Sequence, residues 1–241
     1  MITRRTFLAV VTAVVAAVAL TGCQIDSRTQ IRVSQILEVA KAGVPSPVAA
    51  AINGQFITAP WCQDEGGMAV ETISTSNVPL LLQACAPGGP GAIGTFQMNT
   101  SLVKTDGGQT DAVILANVLG NDNARFAVFP HGKYKDLLSV GLFLNLPQLQ
   151  ADQAKLIAMP VFKRGLYKGT VNFSFTVDII NDTDKPAKFY LTDVDAGGDL
   201  PSDEAILTIP PAGMDTVTLD AQTQATLGTR GWVNFMSMMT K

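Results

Sequence analysis

The sequence predicts a mainly β protein with a few short helices, and two observations support this fold class. Apolar and polar residues alternate without interruption from Val171 to Ile179, which is typical of a half-buried antiparallel strand. Short apolar runs also recur along the chain with clusters of Gly, Pro, Asn and Asp between them, a pattern typical of β-sandwiches. We therefore expect an α+β N-terminal part and an antiparallel, β-sandwich-like C-terminal part.

The first elements of the N-terminal part are a helix and a strand. Ser34 is the predicted N-cap of a short helix that runs through Ala42, and Gly43 stands where a left-handed C-terminal residue belongs. A strand is predicted over Pro47–Ile57. Within it Asn53-Gly54 is a strong hairpin signal, so the strand is expected to fold on itself there.

The middle of the chain mixes helices, a loop and strands. Helices are predicted over Glu65–Ser74 and Pro147–Ile157, the second opening with a proline that the first helical turn tolerates. The stretch Ala86–Gly94 is rich in Pro and Gly and is predicted to be a loop. Three strand-like runs follow this loop, over Thr95–Val103, Ala112–Leu119 and Phe126–Phe129.

The C-terminal part gives the clearest succession of strands and turns. Turn clusters stand at Asn181–Pro186 and Pro210–Gly213. The strands between and after them are predicted around Phe189–Leu191, Ile206–Ile209, Met214–Leu219 and Trp232–Met236. We place a soft domain boundary near residue 165, which gives an α+β domain over 33–165 and a β-sandwich-like domain over 166–241.

Composition excludes several functions. The 241 residues include 17 basic and 20 acidic residues, for a net charge of −3, so the chain has no basic surface of the kind that binds nucleic acid. One histidine and three cysteines leave too few ligands for most metal sites built from His and Cys.

The N-terminal segment has the three parts of an export signal. Arg4 and Arg5 precede an apolar run from Phe7 to Leu20, which is too short to span a hydrocarbon core of about 30 Å. The sequence Leu20-Thr21-Gly22-Cys23 closes the run and resembles the lipobox of bacterial lipoproteins. The residues around Arg4 and Arg5 also look like a twin-arginine motif, and both the twin-arginine and the ordinary export route stay open.

The lipoprotein resemblance implies a processing and a location. Residues 1–22 would be a signal peptide that is cut away, and Cys23 would be acylated, with palmitate among the acyl chains. Residues 23–32 would then form a polar, lipidated tether that anchors the chain in the membrane. Gln24 after the cysteine favours the outer membrane, with the domain in the periplasm or at the cell surface. Loss of Arg4 and Arg5 changes the net charge from −3 to −5.

Cys62 and Cys85 are the two cysteines that remain after lipidation of Cys23. In an exported protein we expect them to form a structural disulfide. A buried pair of free thiols and a redox couple are the alternatives, and the long spacing argues against a Cys-x-x-Cys redox motif.

An acidic stretch from Asp193 to Glu204 carries the most specific chemical pattern. Set against the twelve-residue calcium loop, it places Asp at positions one and three, Gly at six and Glu at twelve. Position five is Gly197, where an oxygen ligand is needed, and strands flank the loop in place of helices. We favour a solvated acidic loop. The alternative is a weak calcium site, and its candidate ligands are Asp193, Asp195, Asp199 and Glu204; no other cofactor is predicted.

These observations predict a membrane-anchored envelope lipoprotein that acts without catalysis, through interaction with an envelope protein in scaffolding, assembly or exclusion. The first alternative is a calcium- or small-ligand-binding β module. The second is a hydrolase, in which any Ser-His-Asp or Cys-His mechanism would have to use His131, the single histidine.

Overall fold

The chain is mainly β in its computed structural model, as the sequence predicts. Eleven strands and three helices of nine or ten residues are defined in the described part of the chain. The structure describes residues 24–56, 60, 62–64, 80–88, 91–106, 111–120, 122, 124–132, 134–148, 151, 172–191 and 206–240.

The strands and helices are numbered in chain order. The strands are β1 (Gln24–Arg32), β2 (Ser46–Phe56), β3 (Leu80–Gly88), β4 (Gly91–Lys104), β5 (Ala124–Pro130), β6 (Leu137–Leu144), β7 (Asn172–Ile180), β8 (Ala187–Tyr190), β9 (Ile206–Ile209), β10 (Met214–Thr218) and β11 (Trp232–Met239). The helices are α1 (Val33–Ala42), α2 (Asp111–Leu119) and α3 (Ala221–Arg230).

Most of the predicted strands are confirmed with small shifts at their ends. Three of them are β4, β5 and β7, and the four short C-terminal strands correspond to β8 through β11. Helix α1 ends as expected, because Gly43 adopts a left-handed conformation with φ 69° and its N–H bonds the Val39 carbonyl. Its N-cap is Arg32 and not Ser34, which lies inside the first turn.

The predicted strand over Ala112–Leu119 is wrong, because these residues form α2. A mostly apolar run of this length is compatible with either a strand or a helix, and the pairing of the neighbouring strands shows which one forms. Strands β4 and β5 pair in parallel, with Leu102 opposite Phe126. Parallel neighbours need a crossover connection, which is usually a helix. The second missed helix is α3, whose N-cap Asp220 accepts a hydrogen bond from the Thr223 N–H at 2.7 Å.

Three other predictions differ from the structure. Residues 24–32 form β1 instead of a tether. Strand β2 runs straight through Asn53-Gly54 without a hairpin, and the Asn53 Oδ1 accepts a hydrogen bond from the Thr95 hydroxyl. The described residues of the predicted loop 86–94 belong instead to the end of β3 and the start of β4. The helix predicted over 65–74 lies outside the described residues, and so does most of the helix over 147–157.

The chain divides into two compact units whose segments alternate along the sequence. Unit 1 contains the described residues of 1–28, 49–99 and 146–175, and unit 2 contains 29–48, 100–145 and 176–241. The division therefore differs from the predicted boundary near residue 165. The physical reason is strand pairing, because β11, from the end of the chain, pairs with β6.

Unit 2 is built around an antiparallel sheet in the order β5, β6, β11, β8, β9. Strands β6 and β11 are buried on both faces for almost their full length. Helix α2 contacts β5 and β6, and α3 contacts β11 and β6. Elsewhere in unit 2, β10 pairs with β7 in antiparallel register, with Val217 opposite Val177.

A group of buried side chains in unit 2 lies between α2 and the sheet. The Trp232 indole stacks on the Phe143 ring with 5.3 Å between centroids, and Phe129 meets Trp232 edge to face at 6.2 Å. The guanidinium of Arg230 lies 4.1 Å from the centroid of the Trp232 ring. The group comprises Val103, Ile114, Val118, Leu119, Ala127, Phe129, Phe143 and Trp232.

A glycine on β6 makes this aromatic packing sterically feasible. Gly141 stands opposite Ala127 on β5 and Asn234 on β11. A Cβ atom added there would meet the Val233 carbonyl oxygen at 2.9 Å and the rings of Phe143 and Phe129 at 3.0 and 3.3 Å. Backbone and rings are both enclosed, so neither can move away cheaply.

A second local feature fixes the start of α1 to the turn after β7. Asp182 accepts hydrogen bonds from the Ser34 N–H at 3.0 Å and from the Ser34 hydroxyl at 2.6 Å. Burial alone would raise the pKa of Asp182, but the two bonds from Ser34 and the nearby Arg32 guanidinium outweigh burial and hold that pKa below 3.8. The adjacent Asn181 is fully buried and donates to the carbonyls of Lys185 and Ile209.

Replacement of Gly141 should destabilise the protein by overpacking. We expect Gly141→Ala to lower the free energy of unfolding by about 1–3 kcal/mol, measured by urea denaturation. In a double-mutant cycle, Phe129→Leu should partly relieve the clash, so that the double variant is more stable than the sum of the single changes predicts. Additive effects would show that the Phe129 ring is not what opposes the new methyl group.

Replacement of Asp182 should remove a pH-dependent contribution to stability. We expect Asp182→Asn to lower the free energy of unfolding by about 1 kcal/mol near neutral pH, as for loss of a helix cap. The folded-state pKa lies below the unfolded value, so the wild-type advantage is complete above that unfolded value and disappears as pH falls through the folded pKa. Urea unfolding over a pH series measures this, with Asp184→Asn in the same exposed turn as the control. A difference that persists in strong acid would contradict the assignment.

Candidate functional site

The candidate site is a hairpin of unit 1 formed by β3 and β4, which are antiparallel from the pair Leu80–Met98 to the pair Gly88–Gly91. Alternate residues of β4 from Ala92 to Met98 are buried, so β4 has an inner and an outer face. Cross-strand partners share a face. Leu82 therefore lies on the inner face with Phe96, whereas Leu81 lies on the outer face with Gln97.

Four apolar residues on the outer face form what we call the hairpin patch. Leu81 is 49% exposed and Ile93 is 40% exposed, although both are large hydrophobic residues. Ala84 and Ala86 follow Leu81 along β3, Ala86 stands opposite Ile93 of β4, and both alanines are exposed. Three polar residues of this face bond one another, because the Gln83 amide donates to Gln97 and the Gln97 amide donates to Asn99. The hairpin patch consists of Leu81, Ala84, Ala86 and Ile93.

The hairpin lacks the charges that usually protect exposed strands. No charged residue occurs between Glu71 and Lys104, and among the described strands β3 pairs with β4 alone. Edge strands are commonly blunted by charge, by proline or by a bulge. Here Pro87 supplies the proline, and the irregular pairing at Gln83 supplies the bulge. No charged side chain accompanies them, and the apolar side chains of the hairpin patch remain in contact with water.

The Cys62–Cys85 disulfide is present, as predicted. Cys85 lies on the inner face of β3 opposite Gly94, and Cys62 is fully buried in the short helical stretch 62–64. The two Cα atoms are 5.9 Å apart, within the usual range for a disulfide. The bond therefore holds the inner face of β3 against the interior of unit 1, while the hairpin patch faces outward.

The other predicted site residues are placed as follows. His131 is buried in the connection between β5 and β6, with its ring centroid 5.3 Å from that of Tyr134. Its backbone N–H donates to the Leu137 carbonyl, so its backbone helps to close this turn. Cys23 lies outside the described residues, and so do the four candidate calcium ligands Asp193, Asp195, Asp199 and Glu204. Among the residues that are described, no group of three or more His, Cys, Asp or Glu side chains is placed to hold a metal ion.

A buried polar trio on β6 and β11 was not predicted from the sequence. The hydroxyls of Ser139 and Ser237 are 3.2 Å apart, and the Asn234 amide nitrogen donates to them at 3.4 and 3.5 Å. The Asn234 Oδ1 has no hydrogen-bond partner within the described residues. The trio adjoins the register shift between Asn234 and Met236, so its bonds favour one register at a point where β11 departs from regular pairing.

No family model, curated protein or solved structure matches this chain. Within the described residues, no helix combines the length and the hydropathy needed to cross a membrane.

Loss of the disulfide should destabilise the protein substantially. Residues 62 and 85 are separated by 23 positions, and opening a loop of this size should lower the free energy of unfolding by about 3 kcal/mol in the chain-entropy account. Denaturant unfolding measures this loss of stability. The double variant Cys62→Ala/Cys85→Ala is compared with wild type under oxidising and under reducing conditions. Wild type should lose the same stability on reduction, and the double variant should not respond to reductant. A variant as stable as oxidised wild type would contradict the structural role.

Proposed function

We propose that this chain is a lipid-anchored envelope protein that acts without catalysis, by binding another protein through the hairpin patch. The export signal and the lipobox-like sequence ending in Cys23 support the anchor. The single observation that supports the binding role is the exposed, uncharged patch of Leu81 and its neighbours on a hairpin that a disulfide holds in place.

The energetic argument starts from the cost of leaving the patch in water. Each square ångström of apolar surface removed from water contributes about 25 cal/mol, so a complementary protein surface that covers Leu81 and Ile93 gains free energy without new polar contacts. Strand β3 is also restrained, because it pairs with β4 and the Cys62–Cys85 disulfide holds its inner face. A preorganised surface loses little conformational entropy on binding.

The chemistry of the patch defines the class of partner. With no charge from residue 72 to residue 103, the contact depends on apolar complementarity and not on ion pairs. Binding should therefore weaken little as salt concentration rises, in contrast to a charge-steered interface. Because the protein is exported and anchored in this proposal, with the outer membrane favoured by Gln24, the partner is an envelope protein with an exposed apolar surface.

A charge in the patch should break the interaction. We expect Leu81→Lys to weaken partner binding at least about tenfold, since burying a cation in place of Leu costs more than 1.4 kcal/mol. In-cell photo-crosslinking with the label at position 84, followed by mass spectrometry, identifies the partner in the wild type. Titration of that partner against the purified protein then measures the loss.

The matched control is Val44→Lys, because Val44 is 66% exposed and lies outside the hairpin. Both variants should melt near the wild-type temperature, and the control should bind as wild type does. Equal binding by wild type and Leu81→Lys would contradict the hairpin patch as the interface. Absence of any protein crosslinked at position 84 would contradict the interaction proposal itself.

A further inference from the structure

Strand β1 begins at Gln24, the residue that directly follows Cys23. Its side chains alternate, with Ser27, Thr29 and Ile31 buried and the residues between them exposed. Helix α1 starts at Val33 with no intervening residue, and Asp182 fixes its first turn. In the described chain, the first strand of the fold therefore begins one residue after the lipobox cysteine.

We propose that the acyl chains on Cys23 hold the folded protein directly against the bilayer, so that the start of β1 lies at the level of the lipid headgroups. This proposal rests on the lipid anchor of the proposed function. An extended tether over the nine residues of β1 would reach about 30 Å from the membrane. The single peptide link between Cys23 and Gln24 spans only about 4 Å.

The short link restricts what the protein can reach. A protein on a flexible tether samples a layer as deep as the tether is long, and its partner can lie anywhere in that layer. With β1 attached at its first residue, the folded protein stays at the membrane surface. Its partners are then proteins of the same membrane, or proteins that come to that surface.

The test measures the distance between β1 and the bilayer in the full lipidated protein. A fluorophore is placed at Gln30, which is exposed and lies about 20 Å along the strand from Gln24. The protein is reconstituted in vesicles of phosphatidylethanolamine and phosphatidylglycerol whose headgroups carry an energy-transfer acceptor. In one variant, twelve Gly and Ser residues are inserted between Gln24 and Ile25, which keeps the residue after the cysteine unchanged and adds about 20 Å of flexible reach.

We expect efficient energy transfer in the native protein and a clear fall in the variant with the inserted linker. The matched control carries the same twelve residues between Ala212 and Gly213, in the exposed turn before β10, and its transfer should equal that of the native protein. Melting curves of all three proteins establish that they fold alike.

Two contrary outcomes are distinguishable. If mass spectrometry shows acylated Cys23 and the protein floats with vesicles, but the linker leaves energy transfer unchanged, the direct attachment is wrong and the anchor stands. If Cys23 carries no acyl chain and the protein does not float with vesicles, the anchor itself is wrong and the direct attachment is wrong with it.

Discussion

Burial of β6 and β11 on both faces is the constraint on which most of unit 2 depends. A strand covered on both sides must be apolar or have its polar groups bonded internally, and Leu137–Leu144 and Trp232–Met239 are apolar except at Gly141 and at Ser139, Asn234 and Ser237, whose side chains bond one another. Helices must then cover the sheet, and α2 and α3 both contact β6. The sheet side chains beneath α2 include large aromatics in edge-to-face and stacked geometry, and they fit because position 141 carries no side chain.

The elements that were predictable from the sequence are those whose residues follow one clear periodicity. Strand β7 follows a strict alternation, and the sequence places it correctly, although Asp178 in the polar set is fully buried and accepts a bond from the Thr216 hydroxyl. The periodicity of β7 does not predict the hydrogen-bond partner of Asp178, because that partner lies on β10, another strand. The run that forms α2 was misjudged because its apolar residues suit a strand as well as a helix. Only the parallel pairing of β4 with β5 requires a crossover there.

Only one part of the candidate site, the disulfide, was predictable from the sequence. The disulfide was predictable from the parity of the cysteines in a chain expected to be exported, an argument that needs no geometry. The hairpin was missed because its Pro and Gly residues suggest a loop, whereas in the structure Pro87, Gly88 and Gly91 lie at the ends of two paired strands. A signal was nevertheless present: the long absence of charge between Glu71 and Lys104 is unusual for a loop, which normally carries polar and charged residues.

The low charge of the chain has two different physical origins. In β6 and β11 it is a requirement of folding, since a charged side chain there would be buried without a partner. In β3 the fold makes no such demand, because Leu81, Ala84 and Ala86 are exposed and a charged side chain could extend into water. Folding stability does not require apolar residues at those positions, and resistance to aggregation favours charged residues there. Neither folding nor solubility requires an uncharged surface at these positions, and this is why we base the proposed binding role on the hairpin patch and not on the apolar interior of unit 2.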